Sequence, residues 1–402
     1  MRISFFIFFF FTGLAVFAQK AGDLVQYSGS SNLPGTSDAV IVKDVPLVHT
    51  TQFLPLDKSG NLVGKGNLNI QVTQVFSNIS SVLKQVNSGL DQIIKLNIYL
   101  KSSDLISEVQ NQIDERFKSG KKPAVSFVSG DLTQSDALVS MDAIALAARV
   151  QTRTVKYLMS VNLSSAKETA SGAVLPAGPV VYVSGQAVKG ELADATRGTL
   201  EQLESTLHFL GLEKKDIVQI KSFVRPMSDM NIVEQEFVRF FKEGTVPPLV
   251  NVEWTSKDPV IEIELIAASP GTVVNSENQM DFITPPGMTA SPVYCKVTRI
   301  NYGSKIYISG LYGQSPGEAN TELASIFTSI ESILKNTGSD FRHLAKATYY
   351  VSNDVYSTKL NEIRPKYYDP LRPPAASKAM VKGVGMPGAG VSIDMIGVVV
   401  KK

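Results

Sequence analysis

The sequence predicts an α+β protein made of three copies of one β-β-α-β-α-β unit, and two observations carry that expectation. The stretch from Ser77 to Leu100 recurs without gaps at Glu201 to Val224 and again at Thr328 to Val351. Within each copy the hydrophobic period switches. Phe76, Ile79, Val82, Leu83 and Val86 stand at helical spacing, as do Leu200, Leu203, Leu207 and Leu210, and Phe327, Ile330, Ile333 and Leu334. The following residues alternate instead, as in Ile94, Leu96, Ile98 and Leu100 around Lys95, Asn97 and Tyr99. Each copy is an amphipathic helix, a turn and a half-buried strand.

The remaining elements follow in order. In the first unit an early strand runs from Leu47 to Phe53, a second helix from about Leu105 to Phe117, a strand from Pro123 to Val128 and a closing strand from Ala137 to Ala147. The second unit repeats the plan, with Val180 to Gln186 early and Val260 to Ala267 closing. The third places Lys305 to Leu311 and Val391 to Val400 in those roles. The expected boundaries are residues 45–150, 151–270 and 288–402, with 271–287 as a linker rich in Pro and Gly. Residues 19–44, rich in Gly, Ser, Asn and Pro, are expected to form a surface lead-in.

Met1 and Arg2 precede an unbroken apolar run, and Ala15 and Ala18 fit a small-x-small cleavage pattern. Residues 1–18 therefore read as a signal peptide, the mature chain starts at Gln19, and the protein is expected to be exported, periplasmic or secreted, with no membrane attachment after cleavage. A single cysteine, Cys295, excludes an internal disulfide, and Lys296 is its only basic neighbour, so it reads as a small buried hydrophobe. The net charge is +2 over 402 residues and no basic run occurs, which argues against nucleic acid as a partner. The three histidines, His49, His208 and His343, are far apart, so no metal is expected, and no P-loop or dinucleotide fingerprint points to another cofactor; each histidine reads first as structural, with a cleft-lining role for His49, on the early strand, as the alternative.

A unit with helices on one face of its sheet leaves the other face apolar, so three units are expected to bury those faces against each other. A closed intramolecular pseudo-trimer of a monomeric chain answers this. Units of about 125 residues exceed the usual solenoid repeat.

These residues resemble the YjgF/RidA family, whose members are single units of chorismate-mutase-like β-β-α-β-α-β fold that form homotrimers with a ligand cleft at each subunit interface. The likeness rests on Val181-Tyr182-Val183-Ser184-Gly185-Gln186, on Ile306-Tyr307-Ile308-Ser309-Gly310, on the closing run Val260 to Ala267, on Pro123, Pro247 and Pro374, and on Ser291-Pro292-Val293-Tyr294. The resemblance implies imine/enamine deaminase chemistry, in which an Arg two residues after the Pro holds a substrate carboxylate and a closing-strand Glu handles water. Here the Arg positions carry Val125, Leu249 and Ala376, and the Glu positions Ser140, Glu262 and Ser392.

By that resemblance Glu262 is the one catalytic candidate. The ligand contacts it implies are Ser184, Ser309, Tyr294 and Asn361, with Thr50 standing for the serine in the first unit. Asn361 has Gln110 and Glu234 at the matching positions of the other units. Lys378, on the same strand face as Ala376, offers a point charge in place of the missing guanidinium. Loss of that anchor favours a small-molecule binder over a deaminase. The alternatives are a deaminase centred on Glu262, or a surface scaffold for protein or RNA.

Overall fold

The computed structural model describes residues 24–29, 33–118, 120–160, 168–242, 244–269 and 277–401. The expected signal peptide lies outside them. Three mixed sheets each carry two helices on one face, at the positions that the periodicity marks: α1 Leu68–Lys84 and α2 Ile106–Arg116, α3 Leu192–Phe209 and α4 Met230–Phe241, α5 Ala319–Asn336 and α6 Asp354–Ile363. Asn67 caps α1 through a bond to the Ile70 amide, and Asn353 caps α6 through bonds to Val355 and Tyr356. In each unit the central strand, Ile93–Leu100, Ile217–Val224 or Leu344–Val351, pairs antiparallel with the closing strand and parallel with the strand after α2, α4 or α6.

Pairing also crosses between units, and it runs in a circle. The early strand Leu47–Thr50 pairs with Gly172–Leu175, from the start of the second unit. Val180–Gln186 pairs with Val297–Ile300 from the start of the third. Lys305–Ile308 pairs with Ala39–Val42, which closes the ring back onto the N-terminal end. The residues expected as a surface lead-in thus include a hairpin, Val25–Ser28 with Ala39–Val42, that completes the third unit's sheet, and Ala39, Val40 and Val42 are fully buried. Met280–Ile283, inside the expected linker, forms the matching outer strand on the second sheet.

The helix-free faces of the three sheets meet on a common axis. One end is apolar, with Val42, Ile94, Val218, Ala345, Tyr182 and Tyr307 in one cluster, and Phe223, Tyr350, Trp254 and Val252 gather with Tyr99 at the other. Between them lies a layer of charge. Lys95 pairs with Asp394 at 2.5 Å and Lys346 pairs with Glu264, all largely shielded from water. Asp142 instead accepts bonds from Asn97 and the Tyr99 hydroxyl, both 2.9 Å, and its carboxyl pKa is raised by burial against the opposing pull of Lys221, Asn97 and Tyr99. His49 sits near this layer, not in a cleft: it is 1% exposed, and burial lowers its pKa to about 4, so it stays neutral.

Candidate functional site: three unequal clefts between units

Each early strand ends by docking on the strand that follows the second helix of the next unit, and three matching hydrogen bonds mark the junctions. Leu249 N–H donates to Thr51 Oγ1 at 3.2 Å, Ala376 N–H to Ser184 Oγ at 2.7 Å, and Val125 N–H to Ser309 Oγ at 2.8 Å. The residues at the three Arg positions of the sequence comparison are thus the ones whose amides make these bonds. The hydroxyls then donate onward, Thr51 to Leu249 O, Ser184 to Cys295 O and Ser309 to Ser37 O. Each hydroxyl has one proton to give, so these groups stitch units together and have no donor left for a ligand. The first-unit member of the set is Thr51. Thr50 points the other way and accepts from the Ala143 amide within its own sheet.

What fills each cleft is governed by two positions, the residue after that Ser or Thr and the closing-strand residue opposite it. Between units two and three these are Gly185 and Glu262. A Cβ on Gly185 would stand 2.0 Å from Glu262 Oε1, so the glycine makes room for the carboxylate. Between units three and one they are Gly310 and Ser392, and the space goes to Tyr312, whose ring packs on Gly385 and Phe127. Residues 33–37 lie alongside, with Gln110 Nε2 donating to the Pro34 carbonyl. Between units one and two they are Gln52 and Ser140. Gln52 donates to Ser140 Oγ at 2.9 Å and accepts from the Asn251 amide at 2.8 Å, which pins its amide at both ends.

The cleft between units one and two is open, with a cavity of about 350 Å³. Thr51, Gln52 and Asn251 supply its polar inner wall, Phe237, Val238 and Leu249 its apolar wall, and Glu234 stands at its rim. Among the described residues no Lys or Arg lines it. Asn251 is 9% exposed and its Oδ1 has no hydrogen-bond partner. Glu234 makes no ion pair among the described residues, and partial burial against the cleft wall raises its carboxyl pKa although the side chain still reaches solvent.

The cleft between units two and three holds the charged groups. Burial pushes the Glu262 carboxyl up to about 7, with Glu264 adding to the rise and Lys346, Ser377 and Lys378 opposing it. Its Oε1 has no partner. Lys378 donates to Ser357 Oγ at 2.8 Å and to Asn361 Oδ1 at 3.4 Å, and burial and Arg364 lower its pKa. Arg364 is 6% exposed, donates to Asn361 Oδ1 at 2.5 Å and lies 5.1 Å over the Tyr349 ring. Tyr294 packs half-buried against the third unit's core, its hydroxyl accepting from Lys296 at 2.9 Å.

A model of the family described as endoribonuclease L-PSP matches residues 36–147, 163–269 and 288–399. The chain belongs to this family, in three fused copies. The same family includes the YjgF/RidA proteins that the sequence resembles. The RutC family protein UK114 of Drosophila melanogaster is 32% identical over 109 residues, which cover 27% of this chain and 78% of that protein. A RutC family protein of Haemophilus influenzae is 33% identical over 116 residues, 28% of this chain and 85% of the relative. Among solved structures, the Rid family protein YyfB of Yersinia pestis covers 30% of this chain and 98% of its own, at 22% identity and a TM-score of 0.28.

Within this YjgF/RidA framework the structure brings Glu262, Ser184, Asn361 and Lys378 to one junction, puts Ser309 at another, and leaves Thr50 outside all three. Sequence reasoning missed Thr51, Gln52 and Asn251. Glu234 was in view at the position matching Asn361, without the cavity beside it. Cys295 is buried, donates to carbonyls of Ile283 and Val297, and has its thiol pKa pushed up by burial, as a structural thiol would. Among the described residues no group of His, Cys, Asp and Glu is arranged to hold a metal.

Proposed function

We propose that this chain is an exported small-molecule-binding member of the YjgF/RidA family, whose working site is the cleft between units one and two and whose ligand has no carboxylate. One observation carries the reading: the junction between units one and two holds an open cavity of about 350 Å³ that no cation among the described residues lines, whereas the cavity of about 610 Å³ beside Gly185 has Lys296 in its wall. A 2-imino acid would bring its carboxylate to Leu249 and Glu234, and an unpaired buried charge is strongly disfavoured. The volume suits a small metabolite. Export is inferred from the pattern at residues 1–18.

The test copies the plugged cleft into the open one. Leu54 holds the place that Tyr312 holds in the third unit, counting from Thr51 and Ser309. The mature protein, equilibrated with a mixture of small amines, amides, alcohols and carboxylates and then desalted, is expected to retain molecules without a carboxylate. The Leu54→Tyr variant is expected to lose them. Retention unchanged by the plug, or confined to carboxylates, would overturn the assignment.

A second reading is favoured by Glu262, a water-shielded carboxyl with an orphaned oxygen and a pKa of about 7, close to the cation Lys378, which in turn feels Arg364. A carboxyl poised near neutrality can move a proton to and from water, and the two cations would face a substrate carboxylate. That reading makes the cleft between units two and three an imine hydrolase.

A further inference from the structure

We propose that the ligand of the cleft between units one and two is a small organic cation with N–H donors, an alkylammonium or guanidinium compound, held by Glu234 and Asn251. The inference rests on the reading of that cleft as the ligand site and goes further in naming the charge and the hydrogen-bonding sense of what enters.

Three features of the lining point the same way. The first is an acceptor with nothing to accept: Asn251 Oδ1 is enclosed and has no partner, although the residue's backbone N–H donates to Gln52 Oε1. Leaving a buried acceptor unmet carries a desolvation cost that a ligand N–H would relieve. Gln52 does not do so: its Nε2 donates to Ser140 and its oxygen accepts from the Asn251 backbone N–H, which turns its amide away from Asn251 Oδ1. Thr51 cannot either, since its proton goes to Leu249 O.

The second is charge. Glu234 is the one ionisable residue among those lining the cavity, and it has no ion-pair partner among the described residues. The other two junctions differ at the matching helix position. Asn361 there is already bonded to Arg364 and Lys378, and Gln110 to the Pro34 carbonyl. Only the open cleft keeps this position unengaged and makes it an anion. The third feature is the wall itself. Phe53 and Phe237 line the cavity, and aromatic faces attract a cation as well as its alkyl part. An ammonium group between Glu234 and Asn251, with its chain against Phe237, Val238 and Leu249, satisfies all three at once.

The probes are butylamine, tetramethylammonium, butyramide and butyrate, matched in size, with binding to the mature protein read by ligand-observed NMR. Butylamine is expected to bind tightest, at least tenfold over butyramide, while butyrate does not bind. Tetramethylammonium, a cation without N–H, is expected to fall well below butylamine. In the Glu234→Gln variant, whose exposed side chain is expected to leave the melting temperature unchanged, butylamine binding should fall at least tenfold, the size of a lost charge-assisted bond, and butyramide binding by no more than about twofold. Equal binding of butylamine and butyramide, with neither affected by Glu234→Gln, would overturn the cation assignment and leave the carboxylate-free cleft standing. Butyrate binding, or no binding of any probe together with indifference to the Leu54→Tyr plug, would overturn both.

Discussion

A chain that lacks residues 24–44 is expected to lose the third unit as a folded entity and to open the ring. The deleted hairpin covers the edge of Lys305–Ile308, and Val40 and Val42 alone bring roughly 3–6 kcal/mol of apolar burial, before the paired backbone of Ala39–Val42 is counted. That is a large part of the stability of an ordinary domain. Deletion also removes Ser37, which accepts from Ser309, and the segment beside Gln110, so the junction between units three and one goes with it. Calorimetry should report a broad, early transition or aggregation. A single cooperative transition near that of the full chain would contradict the ring.

This hairpin also marks where the sequence could not be read locally. Helices and central strands were legible because the periods of 3.6 and 2 are set by residues next to one another. The partner of Val40 is Tyr307, most of the chain away, and nothing in the Gly- and Ser-rich run around a short Ala39-Val40-Ile41-Val42 names it. The site failed by a smaller margin. In the second and third units a Ser-Gly pair marks the end of the early strand, but the first unit has Thr50-Thr51-Gln52 with no such marker, and a one-residue slip reverses the face of every side chain. The clefts were legible as junctions between units. Which of them is open depends on the pairs Gln52 with Ser140, Gly185 with Glu262 and Gly310 with Ser392, and these come together only when strands far apart in sequence are paired.

Glu264→Ala is expected to destabilise the protein by about 3–5 kcal/mol, the cost of leaving Lys346 charged, buried and without its partner. Each of the two side chains is only 7% exposed, so bulk water has little access to take the place of the missing carboxylate. The double substitution Glu264→Leu with Lys346→Met is expected to recover most of that loss, since no unpaired charge is left in the layer position. Denaturant melts of the single and double variants check this. A single variant within 1 kcal/mol of the parent would mean that the charge layer is hydrated in solution and is not the dry junction described above.

The most direct test of the account is ammonia release from freshly generated 2-imino acids, measured for the mature protein with Glu262→Gln alongside. With no carboxylate anchor at Leu249 and the principal cleft suited to a different ligand, the account predicts release at the buffer rate for both proteins. Acceleration by the parent that Glu262→Gln abolishes would contradict it and move the function to the cleft between units two and three.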